Sequence, residues 1–362
     1  MTDDRGAIAV VTAVLGSAVL FACAAIAIDV GALYSEHRQL QNGSDAAAIA
    51  IAQSCVRALG TTSAPCNTGL AAGLADANAV DGSAGVAAVC GTAPGLGGCP
   101  AATTSRASCR AVPAGAPPYV EVHTRTRNAG GSGVVAPIFA RAIPGNEDYA
   151  GTTVQTCARA AYGSPASALS ILPIAVAPCV VNGYLAAHGG FAPSSLSGSS
   201  PSALRPWDTP VELHQDTGPC SSTSSGQDTL GNFGFLTATT CSASTTVGST
   251  QPGSTGNSNP KTLGCTDSYL SALLGKVAYI PVFDSATASG SNASYHIVSY
   301  GAFLFTGWQL AGTSHVSIAT GTLPCGKPTT CISGIFLRGL QPTPGPISSA
   351  PDYGATVVQL LG

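Results

Sequence analysis

Thirteen cysteines and six histidines are the residues of this chain best able to do chemistry, and their spacing decides which chemistry it would be. The histidines (His37, His123, His188, His214, His296 and His315) are scattered, and each has an ordinary place in a helix, strand or loop. His214 with Asp216, or His296 with Asp284 and a nearby serine, would spell a hydrolase dyad or triad, the imidazole taking the serine proton and the carboxylate orienting the ring. Serines are abundant here, so such a pairing is easily met by chance. No GxSxG, HExxH, phosphate-binding loop, dinucleotide fingerprint or calcium loop accompanies it. The four glutamates (Glu36, Glu121, Glu147 and Glu212) poorly supply a paired-carboxylate glycosidase. These residues read as a chain with no catalytic activity and no cofactor, with a secreted or lipid-anchored envelope hydrolase as an alternative.

The cysteines point elsewhere. Cys23 lies inside an apolar run, and twelve follow it: Cys55, Cys66, Cys90, Cys99, Cys109, Cys157, Cys179, Cys220, Cys241, Cys265, Cys325 and Cys331. Zinc would call for CxxC pairs or Cys/His clusters at finger spacing, and the sequence has neither, so no metal site is expected. An even dozen reads instead as up to six disulfides in an oxidising compartment. Connectivity is open, since twelve thiols allow on the order of ten thousand pairings. Cys55 with Cys66, Cys90 with Cys99, and Cys325 with Cys331 are the local expectations, because short loops bring thiols together.

Charge is scarce: 9% of residues are charged, against about 25% in typical soluble domains. The net charge of −3, with lysine only at Lys261, Lys276 and Lys327, gives no basic footprint for nucleic acid. The elements that must position these groups begin with a run from Ala7 to Ile28 that carries no charge. As a helix it would reach roughly 33 Å, enough for a ~30 Å hydrocarbon core. Arg5 before it and Asp29 after it favour a cytoplasmic N-terminus with the bulk of the chain outside. A retained anchor is the primary reading. A cleaved signal and a lipoprotein acylated at Cys23, from Leu20-Phe21-Ala22-Cys23, are its rivals.

Leu33, Leu40, Ala47 and Ile51 recur as one helical stripe, so the helix is expected to continue to near Gly60, with Gly43 weakening its middle by about 1 kcal/mol. From Gly60 to Pro118 the chain has little periodicity apart from a short helix at Leu70 to Val80. Tyr119 to Arg127 alternates as a strand, Val134 to Ile143 is expected as a short helix ended by Pro144, and Thr152 to Tyr162 as a second strand. Leu169 to Val176 reads as a buried strand or loop. Ala192 to Pro206 and Ser242 to Pro260 read as mobile surface loops. Five short β runs then follow: Lys276 to Phe283, Tyr295 to Tyr300, Ala302 to Trp308, His315 to Thr320 and Ile332 to Leu337. Gly301 and Gly307 suggest bulges or bends, and Phe303, Phe305, Trp308 and Phe336 supply core. The fold class is α+β: a transmembrane helix continuing as an amphipathic helix, a small strand-helix-strand unit, and a disulfide-stapled, mostly antiparallel β-domain. The boundaries are 1–6 cytoplasmic, 7–28 anchor, 29–59 amphipathic helix, 60–165 Cys-containing α+β region and 166–362 β-rich domain.

The apolar span followed by Ala27-Ile28-Asp29-Val30-Gly31, Leu33-Tyr34, Gln39-Leu40-Gln41-Asn42 and Asp45-Ala46-Ala47-Ala48 resembles the N-terminal signature of TadE/TadG-like proteins of the tight-adherence (Flp) pilus assembly system. The resemblance is close over about 48 residues, with a looser echo from Tyr119 to Gly163. The region from Gly231 onward is similar to C-terminal regions of some actinobacterial pilus-assembly proteins. Pilins of this system are usually cut after a glycine, with a glutamate five residues into the mature chain. Here Gly6 is present but Val11 stands at the glutamate position, so no such cut is expected, and the chain resembles the TadG side of the family. The adhesion motif DxSxS of some larger members is absent, Asp267-Ser268-Tyr269-Leu270-Ser271 lacking its middle serine. The resemblance implies a membrane-anchored, non-enzymatic assembly component. Its partners would be the membrane and other pilus-assembly or envelope proteins, with the helical stripe packing either on the chain's own domain or on like helices. A surface adhesin is a further alternative.

Overall fold

Helix α1 (Arg5–Ala58) runs 54 residues without interruption, about 80 Å at the rise of an α-helix. The structure, a computed structural model, describes residues 5–59, 66–99, 109, 111–112, 115–142, 145–212, 233–254, 260–287, 294–326, 329–342 and 345–361. His214, Asp216 and Cys220 lie outside the described residues. The chain divides into two compact units: Met1–Ile51 with Cys66–Ala160 and Leu360–Gly362, and Ala52–Pro65 with Ala161–Gln359.

In the first unit α1 changes character along its length. Its large apolar residues are exposed from Ile8 through Val30, with Phe21 and Leu20 more than 70% exposed, whereas Leu40, Ala47 and Ile51 are buried. The exposed part is one helix long and apolar enough to cross a membrane. Helix α2 (Leu70–Ala77) and strand β1 (Ala84–Gly91) meet α1 at Leu40, which clusters with Ala75 and Ala84 and with Val86 and Val154 around them. Gly43 has a packing reason for its place: a Cβ there would meet Ala75 Cα at 3.1 Å and its carbonyl oxygen at 3.3 Å, so its lack of a side chain lets α2 approach.

Strand β1 pairs antiparallel with β2 (Tyr119–Thr126), with a register shift between Val86 and Ala88, and β2 neighbours β3 (Gln155–Gly163). The sequence reading passed over β1 because its alanines and glycines carry little strand signal. The helix expected over Val134 to Ile143 does not form among its described residues. Val135 instead bridges Thr152, and only a 3-10 turn at Ala140–Ala142 follows. Pro137 cannot donate to a helical ladder, and the amides of residues 138–140 are taken by a side chain instead.

The second unit contains β4 (Ser167–Ser170), β5 (Ile174–Val176), α3 (Pro178–His188), α4 (Pro201–Leu204), β6 (Thr209–Glu212), β7 (Phe233–Phe235), β8 (Ala243–Thr246), β9 (Thr250–Pro252), α5 (Asp267–Leu273), β10 (Val277–Thr287), β11 (Ser294–Leu310), β12 (Thr313–His315), β13 (Cys331–Leu337), β14 (Gly339–Leu340) and, as far as Gln359, β15 (Ala355–Leu361). Its main sheet has the order β6-β13-β11-β10-β5-β7, with β9 and β12 also paired to β11. Pairing is antiparallel except where β10 meets β5. Val180, Val181 and Tyr184 of α3 and Leu270 and Leu273 of α5 join the core, in which Phe303, Phe305, Trp308 and Phe336 are at most 1% exposed. Pro178 opens α3 and Gly189, at φ 71°, closes it; Thr266 caps α5 by accepting the Tyr269 amide.

Four expectations for this unit are corrected. The two runs on either side of Gly301 are one 17-residue strand, because Gly301 keeps its ladder partner Ile280 and only Gly307 sits at a register shift. The Ser/Thr/Gly stretch from Ser242 carries β8 and β9, whose Ala243 and Thr245 are buried, so threonine's branched side chain outweighs the low-complexity appearance. The Ala192 to Pro206 segment contains a 3-10 turn at Ser194–Leu196 and α4, held by buried Leu196 and Leu204. His315 ends β12, and no strand runs on from it to Thr320.

Candidate functional site

The signature residues of α1 divide between two faces. One face is engaged. Asp29 accepts the amide of Ile138 at 2.8 Å and that of Ala140 at 2.6 Å, and the amide of Phe139 lies 3.1 Å and 3.2 Å from its two oxygens. Partial burial raises the Asp29 carboxyl, and the three amides outweigh this and hold it below the usual carboxylate value. Gln39 donates to Ser35 Oγ at 3.1 Å and accepts the Val80 amide at 2.7 Å. The Leu40 carbonyl accepts Thr124 Oγ1 at 3.1 Å, and Thr124 shares a 2.7 Å bond with Thr156. Gln41 donates to Asp45 Oδ1 at 2.8 Å and to the Cys157 carbonyl at 3.3 Å. Ser44, fully buried, donates to the Gln41 carbonyl. Asp29, Leu40, Gly43 and Ser44, which fall within about 100° of one another around the helix, thus fasten α1 to its own strands and loop.

The other face is open. A Cβ at Gly31 would meet nothing within 4 Å. Tyr34 is 59% exposed, its hydroxyl accepting a 2.6 Å bond from Arg38, whose guanidinium lies 4.6 Å from the ring centre. Asn42 is exposed. Gly31, Tyr34, Arg38 and Asn42 follow one another at three- and four-residue spacing, one stripe of an α-helix. The anchor limits Ala7 and Ile28 lie within the same continuous helix, and Cys23 is a free, exposed thiol among them.

Replacing Asp29 with asparagine is expected to release the 138–140 loop, since an amide offers one acceptor oxygen and turns N–H groups toward N–H groups. In the native chain the folded carboxyl is depressed, so loop docking is complete above the ordinary value of about 4 and fades as pH falls through the lower folded value. Hydrogen exchange checks this. Protection factors at residues 138–140 are expected to be high at neutral pH, lower in acid, and low at every pH in the asparagine variant.

Strands β2 and β3 carry a buried charge cluster. Arg159 Nε donates to Glu121 Oε1 at 2.9 Å, its Nη2 contacts the same oxygen, and its guanidinium lies 5.0 Å from the Tyr119 ring centre. His123 Nε2 is 3.6 Å from Glu121 Oε2 and 3.7 Å from Cys157 Sγ. Desolvation raises the Glu121 carboxyl, and its bonds to His123 and Arg159 overcome this and hold it down. Cys90, Cys99, Glu121 and His123 converge, as do Cys109, Glu121 and Cys157, but these cysteines are bonded as Cys90–Cys99 and Cys109–Cys157 and present no thiolate to an ion. Cys241–Cys265 and Cys325–Cys331 are bonded in the second unit, and Cys55, Cys66 and Cys179 are disulfide-bonded as well.

His296 Nδ1 lies 2.7 Å from Asp284 Oδ1 on the surface of the second unit. Ser285 donates to Asp284, and among the described residues no serine hydroxyl bonds His296, so the nucleophile-to-base contact of a triad is not formed. Asp208 is half-buried and accepts Thr306 Oγ1 at 2.5 Å and Ser317 Oγ at 2.6 Å. Burial raises its carboxyl, and the two hydroxyls offset part of that. Sequence reasoning missed this aspartate, which has no motif around it; its hydroxyl partners come from β11 and from the segment after β12.

No curated protein and no solved structure matches the chain. Residues 6–54 match the family model for Flp pilus-assembly TadE/G-like proteins. This segment, an exposed apolar helix that becomes a docked one, fits a membrane-anchored protein and supports a role in pilus assembly: the N-terminal part of the chain is TadE/G-like.

Proposed function

We propose that the chain is a non-enzymatic, single-pass component of a tight-adherence, Flp-type pilus assembly system that acts by anchoring and by protein–protein packing at the cell envelope. Its N-terminus is cytoplasmic and its disulfide-stapled body extracytoplasmic. The observation that carries this reading is the division of the signature: Asp29, Gln39, Leu40 and Gln41 bond the chain's own first unit, while Gly31, Tyr34 and Asn42 remain exposed just beyond the apolar span. A residue set used only for folding would not need the second face. That stripe is the contact surface for a pilus-assembly or envelope partner, including a second copy of this helix. The disulfides support export, since they persist in oxidising compartments.

A photoreactive amino acid at Tyr34 or Asn42 of the full chain in its own cells is the test, with Val80, 89% exposed on the loop after α2, as the control. Crosslinks from Tyr34 and Asn42 to a membrane or pilus-assembly protein, absent from Val80, together with loss of pili on deleting the gene, are expected. Intact pili and no crosslink from either position would contradict the proposal.

A further inference from the structure

Two consecutive apolar side chains stand unpartnered beside the point where α1 leaves its apolar span. Ile138 is 60% and Phe139 40% exposed, in a loop whose backbone is bonded to Asp29, the residue directly after Ile28. The loop is therefore held at one height on the helix. Together they enclose a groove lined by Ala25, Ile26, Val30 and Leu33 from α1 and by Pro137 and Phe139 from the loop. Ala25 and Ile26 belong to the span itself, so the groove continues the lipid-facing surface, with Asp29, its carboxylate bonded to the loop amides, among its lining residues.

Resting on the proposed membrane orientation, we infer that the 135–140 loop is a second membrane contact: Ile138 and Phe139 enter the outer leaflet at the level of the headgroups and upper acyl chains, and a lipid chain occupies the groove. The occupant is lipid because the face continues the exposed apolar surface of residues 8–30, which in water would have no cover. Irregular backbone is costly at that depth unless its polar groups are satisfied, and the Asp29 carboxylate satisfies the amides of Ile138 and Phe139 and of Ala140 after them. Arg141, exposed directly after the 138–140 amides, and the half-buried Tyr149 on the groove wall are the residue types that favour the interface. The arrangement fixes the tilt and depth of the helix at two points instead of one, and so fixes where Gly31, Tyr34 and Asn42 are presented.

The test uses the full, oxidised chain in liposomes whose acyl chains carry bromine either near the glycerol end or near the chain terminus, with tryptophan introduced by Phe139→Trp, Ile138→Trp or Leu20→Trp. Tryptophan at 138 or 139 is expected to emit blue-shifted light that shallow bromines quench more than deep ones, and tryptophan at 20 to be quenched most by deep bromines. If Leu20→Trp is quenched while neither loop variant is, the loop contact is wrong and the anchor stands. If Leu20→Trp is not quenched either, the membrane reading fails and the loop contact with it. Having two loop variants separates local misfolding of one from absence of contact.

Discussion

Replacing Arg159 with leucine is expected to lower the unfolding free energy of the first unit by about 3–5 kcal/mol, because it strands the Glu121 carboxylate in a site that is 5% exposed. The partners lie on β2 and β3, and the His123 ring nitrogen is 3.6 Å from the other oxygen of the carboxylate. The sign follows from desolvation: a buried charge without its partner costs more than the pair contributes. Replacing both residues together, as Glu121→Leu with Arg159→Leu, is expected to recover much of the loss, which separates stranded charge from lost packing. Glu121 also gives the wild-type chain an acid limit. Its folded carboxyl is depressed, so its contribution is complete above about pH 4 and disappears as pH falls through the lower folded value. Without the guanidinium, desolvation pushes the Glu121 carboxyl upward instead, so the Arg159→Leu variant is expected to recover part of its loss as pH falls, and urea unfolding at neutral and acid pH measures both effects.

Removing the Cys109–Cys157 bond, which spans 48 residues, is expected to cost about 4 kcal/mol through the freedom returned to the unfolded chain. The Cys325–Cys331 bond spans only 6 residues and is expected to contribute less, about 2 kcal/mol on the same relation. Because the 48-residue loop closed by Cys109–Cys157 lies in the first unit, whose core cluster around Leu40 is small beside that of the second, the first unit is expected to unfold on reduction before the second does. Thermal unfolding of the Cys109→Ser, Cys157→Ser double variant beside a Cys325→Ser, Cys331→Ser one checks the order. Equal losses would mean that loop length is not what these bonds act through.

What the sequence yields and what it withholds follow from distance along the chain. Helix α1 was legible from end to end, since an uncharged run needs no partner to be recognised and the stripe through Leu40, Ala47 and Ile51 is local. Strand β2 was legible for the same reason, its alternation being contained in eight residues. The bonds Cys90–Cys99 and Cys325–Cys331 join near neighbours, whereas Cys109–Cys157 and Cys241–Cys265 are brought together by strands and turns that no spacing rule encodes. Asp29 was legible as a signature residue and as the charge ending the span, but its partners lie 109 to 111 residues downstream. Those partners also explain the misread helix at Val134: local propensity favoured a turn of helix, and a distant carboxylate claimed the amides that would have begun it. Strand β1 was hidden because alanine carries no strand preference of its own and gains one only from the partner it pairs with.

The central claim is that an exposed apolar helix is embedded in lipid and carries an oxidised body outside the cytoplasm. Alkaline carbonate extraction of membranes from the native cells, followed by thiol counting on the recovered protein with a mass-tagged maleimide, tests both halves at once. The account predicts a protein that stays in the membrane pellet and accepts a tag only at Cys23 until it is reduced. Recovery in the soluble fraction, with the other cysteines already reactive, would contradict it.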